Sequence, residues 1–437
     1  MHISKPTRFL APPLLMIVIL VCGRSVFVAQ TTPKINAPDA VLHDQPFNVT
    51  VTGMAPNTPY TMRFEFCSRA GTIWRSDNVF KSDADGTVDL SRDAPVSGTY
   101  TGVDKTGPLW SMSNTKEHSG DASIFDNDEH SVAVIQLRDG EKSIAQRSVV
   151  ISYRDIGVST VEVRGPIVGT FNSPPVKGRA PAVIVLGGSE GALNRPLAAL
   201  IASHGFPSLA LAYFGYEKLP ADLEKIPVET IDRAVEWLAK QPGVDPNRIV
   251  VLGGSKGAEL ALLSASLNKS IAGVVAYAPS SVIYEGIGNS PGHVSSWTYK
   301  GVELPFAPYV HNDTYSKSRR LIDLYEPTFA AAPPESRIAV ENIAGPIMLI
   351  SGKDDALWPS SRMADEMAGR LKSKGFKFEV TNLQFDDVGH HCAGIPLRPT
   401  ADSVRLGGSA RSIAHANVEA WHRIVSFLTV LKQNRPS

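Results

Sequence analysis

Two stretches of the chain read G-x-S-x-G directly after an apolar run. One is Gly187-Gly188-Ser189-Glu190-Gly191, after Ala182–Leu186, and the other is Gly253-Gly254-Ser255-Lys256-Gly257, after Arg248–Leu252. A step of this composition is a sharp strand-to-helix corner. The glycines leave room where strand and helix approach closely, and the serine hydroxyl is lifted clear of the strand. The corner also aims the unpaired N–H groups of a helix start at any negative charge developing beside the serine. A chain built around such corners needs buried parallel strands with helices behind them, which limits the fold to the α/β class.

Position decides between the two serines. Residues Ala182 to Leu252 predict strand, helix, strand, helix, strand: Ala182–Leu186, a helix over Arg195–His204, Pro207–Tyr213, a helix near Val228–Lys240, then Arg248–Leu252. That is the order of an α/β-hydrolase domain, in which the nucleophile follows the later strand and the loop after the earlier one supplies an oxyanion N–H. Ser255 is therefore read as the nucleophile, with the backbone N–H groups of Lys256 and Ser189 forming the oxyanion hole. Ser189 as nucleophile, or two turns without chemistry, are the competing readings. Small apolar residues at Ala258–Leu263 suit a helix packed on the sheet.

A nucleophilic serine needs a base, and the base an orienting carboxylate. The apolar run Pro346–Ile350 leads into Gly352-Lys353-Asp354-Asp355, which puts a carboxylate at the tip of a strand. Asp355, three residues beyond the glycine, is the expected acid, with Asp354 the alternative. Further on, Gly389-His390-His391 follows the strand-like run Phe376–Phe385. His390 is the expected base and His391 the alternative. His43, His118, His130, His204, His293, His311, His415 and His422 read as surface or packing residues. The order Ser, Asp, His is the one that α/β-hydrolases use.

At 437 residues the chain exceeds one ordinary domain. Zero formal net charge and the lack of any basic block give no bulk attraction to nucleic acid or to an anionic membrane. No nucleic-acid partner is expected. Residues 1–30 read as a signal peptide: Lys5 and Arg8 precede the apolar Phe9–Cys22, and Val28-Ala29 gives a small-residue cleavage site. The run is short and broken by Pro12 and Pro13, so no stable membrane span is expected after cleavage. The expected location is outside the cytoplasm, with anchoring by an uncleaved signal as the alternative. Cleavage would leave Cys67 and Cys392, read as two free buried thiols because a disulfide would have to join the two domains. Without Cys-x-x-Cys or His-Glu-x-x-His, no metal and no cofactor are expected.

Residues 31–157 predict an all-β sandwich. Phe47–Thr52 and Tyr60–Phe66 alternate apolar with polar, and Asp139-Gly140 joins Val132–Leu137 to Ile144–Ser152 as a hairpin. This part carries no chemistry and reads as a structural lobe, with a carbohydrate-binding module as the weaker alternative. The catalytic domain spans 158–437, beginning near Val161–Gly165. An insertion around residues 280–340, rich in aromatics and proline, is expected over the active site. Ile413–Leu431 carries Val418, Trp421, Ile424, Val425 and Leu428 at helical spacing, marking a final helix packed on the sheet.

Beyond these patterns the chain resembles a family. Ala84–Leu90, Gly98–Asp104, Pro108–Met112, Leu186–Gly191, Ala212–Tyr216, Gly254–Leu260, Ser295–Tyr299, Gly352–Trp358 and Gly389-His390 are similar to the type I acyl-CoA thioesterases. These are grouped with the bile acid-CoA:amino acid N-acyltransferases. The resemblance implies a β-sandwich joined to an α/β-hydrolase domain, a triad of Ser255, Asp355 and His390, and an acyl-enzyme formed from an acyl thioester. It implies a small-molecule acyl thioester or ester as substrate. Amino-acid-conjugating members tend to carry cysteine at the nucleophile, so serine favours hydrolysis. Lys256 is a candidate contact for the CoA phosphates. The signal peptide departs from the family's better-known intracellular members and keeps open a carboxylesterase or dienelactone-type hydrolase acting elsewhere. A non-catalytic binding protein on the same scaffold is a further alternative.

Overall fold

The computed structural model describes residues 32–67, 73–114, 130–175 and 178–433. The expected signal peptide lies outside them. Alternation builds the N-terminal lobe. Pro59–Cys67 pairs antiparallel with Ile73–Lys81 on one side and His130–Asp139 on the other. Every second residue of the first strand, Met62, Phe64 and Phe66, is buried. Asp139-Gly140 turns His130–Asp139 into Lys142–Ser152, with Gly140 at φ +55°. This seven-stranded sheet is accompanied by a three-stranded one, Lys34–Asn36, Thr50–Thr52 and Val88–Asp89. Val49 and Val51 share one core with Phe64, Phe80 and Leu90. The ladder over Phe47–Thr52 is limited to its last three residues, which pair with Lys34–Asn36 on one side and, at Thr50 and Val51, with Val88–Asp89 on the other.

The larger sheet has eight strands: β1 Ser159–Val163, β2 Val168–Ser173, β3 Ala180–Leu186, β4 Ser208–Ala212, β5 Val244–Gly254, β6 Ile271–Tyr277, β7 Ile347–Gly352 and β8 Val380–Phe385. Their spatial order is 1-2-4-3-5-6-7-8. Strand β2 is antiparallel to β1 and β4, and the pairs from β4 through β8 are parallel. All seven residues of β3 are buried, as expected for a parallel strand covered on both faces. Five helices do most of the covering: α1 Arg195–Ser203, α2 Glu229–Leu238, α3 Lys256–Leu267, α4 Ser360–Ser373 and α5 Ala410–Gln433. Ile184 and Val251 point to the core holding Ile231 of α2, Leu260 of α3 and Met367 of α4. Val185 and Leu252 point to the opposite core with Leu200 of α1 and Trp421 of α5.

Polar pairs join the lobes. His43 donates from Nδ1 to the Pro396 carbonyl at 3.1 Å and stacks on Tyr153. Burial, with the charge of Arg398 nearby, pushes His43 down to about 3. The Asp44 carboxylate lies 2.6 Å from His204 and accepts from Trp421 Nε1 at 2.8 Å. Asp104 meets His415 and Trp110 Nε1, each at 2.9 Å. Burial works to raise both carboxylates, but these partners outweigh it and hold them below the usual range. Three of the histidines outside the expected triad are thus seam residues.

The chain between β6 and β7 makes a long excursion. It contains short helices at Asp313–Ser318 and Ile322–Ala330, and it contributes Trp297–Tyr299 and Val302–Glu303 to a small sheet with Ile226–Pro227. Its aromatic core of Tyr284, Tyr325 and Phe329 closes on Trp358 and Met363. Among the described residues, no helix is long and apolar enough to cross a membrane.

Candidate active site

Strand β5 ends at Gly254 and α3 begins at Lys256, leaving Ser255 to make the whole turn at φ 55°, ψ −124°. A non-glycine residue held there costs about 1–3 kcal/mol and persists only when its surroundings over-determine it. They do so here. The Ser255 N–H donates to the Tyr277 carbonyl at 3.0 Å, and its carbonyl accepts from Ala258 and Glu259 at 2.9 and 3.1 Å. A Cβ at Gly254 would fall 1.9 Å from the Tyr277 ring, and one at Gly257 would fall 2.2 Å from the Gly187 carbonyl oxygen. The side chain of Ser255 makes no cap on its own helix.

Asp355 stands just beyond β7. Its Oδ1 accepts from the Leu357 N–H at 2.9 Å and the Trp358 N–H at 3.3 Å, and its Oδ2 accepts from Ser360 Oγ at 2.6 Å. The same Oδ2 accepts from Nδ1 of His390 at 2.9 Å. A carboxylate at Nδ1 places the ring proton there and leaves Nε2 as the free acceptor. Nε2 of His390 is buried and without a hydrogen-bond partner. The His390 backbone N–H is bonded to the Leu406 carbonyl at 2.8 Å, and the ring packs edge-on with Trp358, their centres 5.6 Å apart. Asp354 and His391, the sequence alternatives, are exposed. Cys392 is buried and donates to the Ile350 carbonyl at 3.4 Å, and burial pushes its thiol up to about 12. The Cys67 side chain lies outside the described residues.

Ser189 is exposed in the loop between β3 and α1. That loop runs beside Ser255, since a Cβ at Gly188 would stand 3.4 Å from the Ser255 Cβ. The Gly188 N–H is already engaged by the Glu190 carboxylate at 2.8 Å. The Lys256 N–H opens α3 and has no intrahelical acceptor.

One expectation is overturned. The Lys256 side chain neither faces solvent nor stands free for a phosphate. It is 1% exposed, pairs with Glu259 at 2.7 Å, and lies 5.4 Å from the centre of the Trp297 ring. A lysine whose neighbours are helix and insertion rather than water takes the nearest carboxylate, here one turn on. Burial drives Lys256 down and Glu259 up from their usual ranges, while their attraction opposes both shifts. Glu259, Glu190 and Ser360 were missed in the sequence reading. Only Glu259 left a trace there, a carboxylate three residues after a lysine on an otherwise apolar helix. Among the described residues, no group of three or more His, Cys, Asp or Glu is placed to hold a metal ion.

An eight-stranded sheet in this order, with a strained serine corner after β5 and a carboxylate–imidazole pair beyond β7 and β8, makes the molecule an α/β hydrolase carrying an N-terminal β-lobe. Residues 44–165 match the acyl-CoA thioester hydrolase/BAAT N-terminal region, and residues 226–432 match the BAAT/acyl-CoA thioester hydrolase C-terminal region. The chain belongs to this acyl-CoA thioester hydrolase/BAAT family. It is 29% identical over 402 residues to mouse mitochondrial acyl-coenzyme A thioesterase 2, covering 88% of this chain and 86% of that one. It is 27% identical over 405 residues to the mouse peroxisomal succinyl-coenzyme A thioesterase, covering 88% and 93%.

Proposed function

We propose that the protein hydrolyses acyl thioesters of the acyl-CoA class through an acyl-serine intermediate, with Ser255 as nucleophile, His390 as base and Asp355 as orienting acid. Supporting this reading above all is His390. Its Nδ1 is bonded to a buried carboxylate, and its Nε2 is buried with no partner. An imidazole oriented in this way presents Nε2 as an acceptor, the role a general base needs.

In the first half-reaction Ser255 Oγ attacks the thioester carbonyl and its proton passes to His390 Nε2. The oxyanion is received by the Lys256 N–H and an N–H of the Gly188–Ser189 loop. Collapse expels the thiolate, which takes the proton from His390. In the second half-reaction water attacks the acyl-serine, His390 accepts its proton, and the carboxylic acid leaves as Ser255 recovers its hydrogen. Asp355 stays ionised throughout and stabilises the imidazolium. An acyl-serine is an oxygen ester and reacts with amines less readily than an acyl-cysteine, so water is the acceptor in this proposal. Export directed by residues 1–30 belongs to the same reading, and N-terminal sequencing of the mature protein tests it.

The test is a comparison of initial rates on acyl-CoAs of graded length and on p-nitrophenyl esters of matched chain length. Thioester hydrolysis predicts higher kcat/KM on the CoA series, with labelling by a fluorophosphonate probe lost in Ser255→Ala. Preference for the matched oxygen esters would replace thioesterase by carboxylesterase. Retained turnover in pure Ser255→Ala would remove the serine mechanism altogether.

A further inference from the structure

Resting on Ser255 as nucleophile, we infer that Glu259 is a positioning residue for the oxyanion donor, bonded through its backbone to the Ser255 carbonyl and through its carboxylate to the end of the Lys256 side chain. That peptide carries the Ser255 carbonyl at one end and the Lys256 N–H at the other. The Glu259 backbone N–H holds the carbonyl at 3.1 Å. The Glu259 carboxylate holds the Lys256 ammonium at 2.7 Å. The first bond lies on the peptide itself, where the Ala258 N–H also holds the carbonyl at 2.9 Å, and the second fixes the side chain that leaves the Lys256 backbone.

The carboxylate is itself fixed from outside the helix. Its Oε1 also accepts from Trp297 Nε1 at 2.7 Å and from the Tyr284 N–H at 3.2 Å, both in the insertion. Glu259 is fully buried and Lys256 nearly so. Oε2 is buried without a hydrogen-bond partner. A half-satisfied buried ion pair is a poor device for stability, because desolvation offsets most of its attraction and apolar replacements often do as well. It is a good device for geometry, since three donors converging on one oxygen leave it a single position. The geometry at stake is the strained ψ of Ser255, which sets the aim of the Lys256 N–H. Relaxation of that turn would swing the donor off the oxyanion while leaving the serine hydroxyl and the substrate pocket in place. Glu259 thus acts on the transition state and not on substrate binding.

The experiment uses the full chain with Glu259→Gln, Lys256→Met and the double variant. Each is measured per active site, titrated with a fluorophosphonate, alongside melting temperature. Gln keeps an acceptor for Trp297 and Tyr284 but cannot balance the ammonium. In Lys256→Met the glutamate can take up a proton and stay buried as a neutral group. Loss of one whole oxyanion donor typically lowers kcat by about 10²–10³-fold, so a mis-aimed one is expected to lower it by about 10–100-fold. KM should stay within about threefold, and the phosphonylation rate should fall in parallel with kcat. The double variant should be no worse than the poorer single one, because both break the same grip. Unchanged kcat and phosphonylation per site in Glu259→Gln, or additive losses in the double variant, would overturn the inference. So would a fall in kcat/KM carried by KM alone. Should Glu259→Gln fail to fold, Lys256→Met decides by the same readings. Ser255→Ala separates the two levels. Its loss of labelling keeps the serine reading, so that any failure falls on Glu259 alone, whereas retained turnover there overturns both.

Discussion

The two G-x-S-x-G corners are nearly the same in sequence and quite different in structure. At the second, a Cβ on Gly253 or Gly257 would strike backbone, at 2.3 Å from the Gly257 carbonyl oxygen and 2.2 Å from that of Gly187. At the first, a Cβ on Gly187 or Gly188 would meet only the Glu190 side chain first, at 3.1 and 2.7 Å. Ser255 sits at φ 55°, whereas in the first corner the positive φ falls on Gly191 and Ala192, beyond the serine. The second corner is walled by main chain at Gly253 and Gly257 and by the Tyr277 ring at Gly254, and it holds its serine in strain, while the first meets a movable carboxylate at Gly187 and Gly188, meets main chain at Gly191 at 3.2 Å, and leaves its serine exposed. The pentapeptide permits a nucleophile corner, and the strands on either side create it. Strand β5 has β3 and β6 as neighbours, and the β3 loop itself forms one wall of the β5 turn.

The contrast is broken most simply by exchanging the serines' roles. Ser255→Ala is expected to lower kcat by on the order of 10⁴–10⁶-fold, whereas Ser189→Ala, acting at an exposed side chain, should change the barrier by no more than about 0.5 kcal/mol. Steady-state rates on an acyl-CoA, measured for both, decide it. Equal effects would erase the distinction. Next in size is the pair of glycine substitutions. Gly257→Ala pushes a methyl into backbone and should cost about 1–3 kcal/mol or more of stability, read as a lowered midpoint in urea. Gly188→Ala, which can displace the Glu190 side chain, should cost clearly less. A reversed order would mean that the first corner is the tighter one. A modest effect is expected at Glu190→Ala, which frees the Gly188 N–H and should shift kcat by less than about tenfold in either direction. A hundredfold loss would place Glu190 in the chemistry and make the first corner an equal partner.

Much of this was legible in advance, for identifiable reasons. The β3 run and the Ile249–Leu252 part of β5 are apolar because parallel strands are covered on both faces. Asp355 was separable from Asp354 by its spacing from Gly352, and it is the one whose carboxylate lies against His390. The role of Lys256 was only half legible: Glu259 lies one turn on in the same helix, but Trp297, which covers the pair, comes from the insertion and is brought there by the fold. Nor could a linear reading show that Glu190 turns back two residues onto the Gly188 N–H. The seam histidines were hidden for the same reason, since His204 and His415 find their aspartates more than a hundred positions away.

Asp44 near the start of the described chain lies against His204 in its middle and accepts a hydrogen bond from Trp421 close to its end. That joint between the lobes is complete only when residues from the beginning, the middle and the end of the chain have come together. Removing the tail from Trp421 onward would take away the indole donor of the Asp44 carboxylate and leave it facing His204 alone.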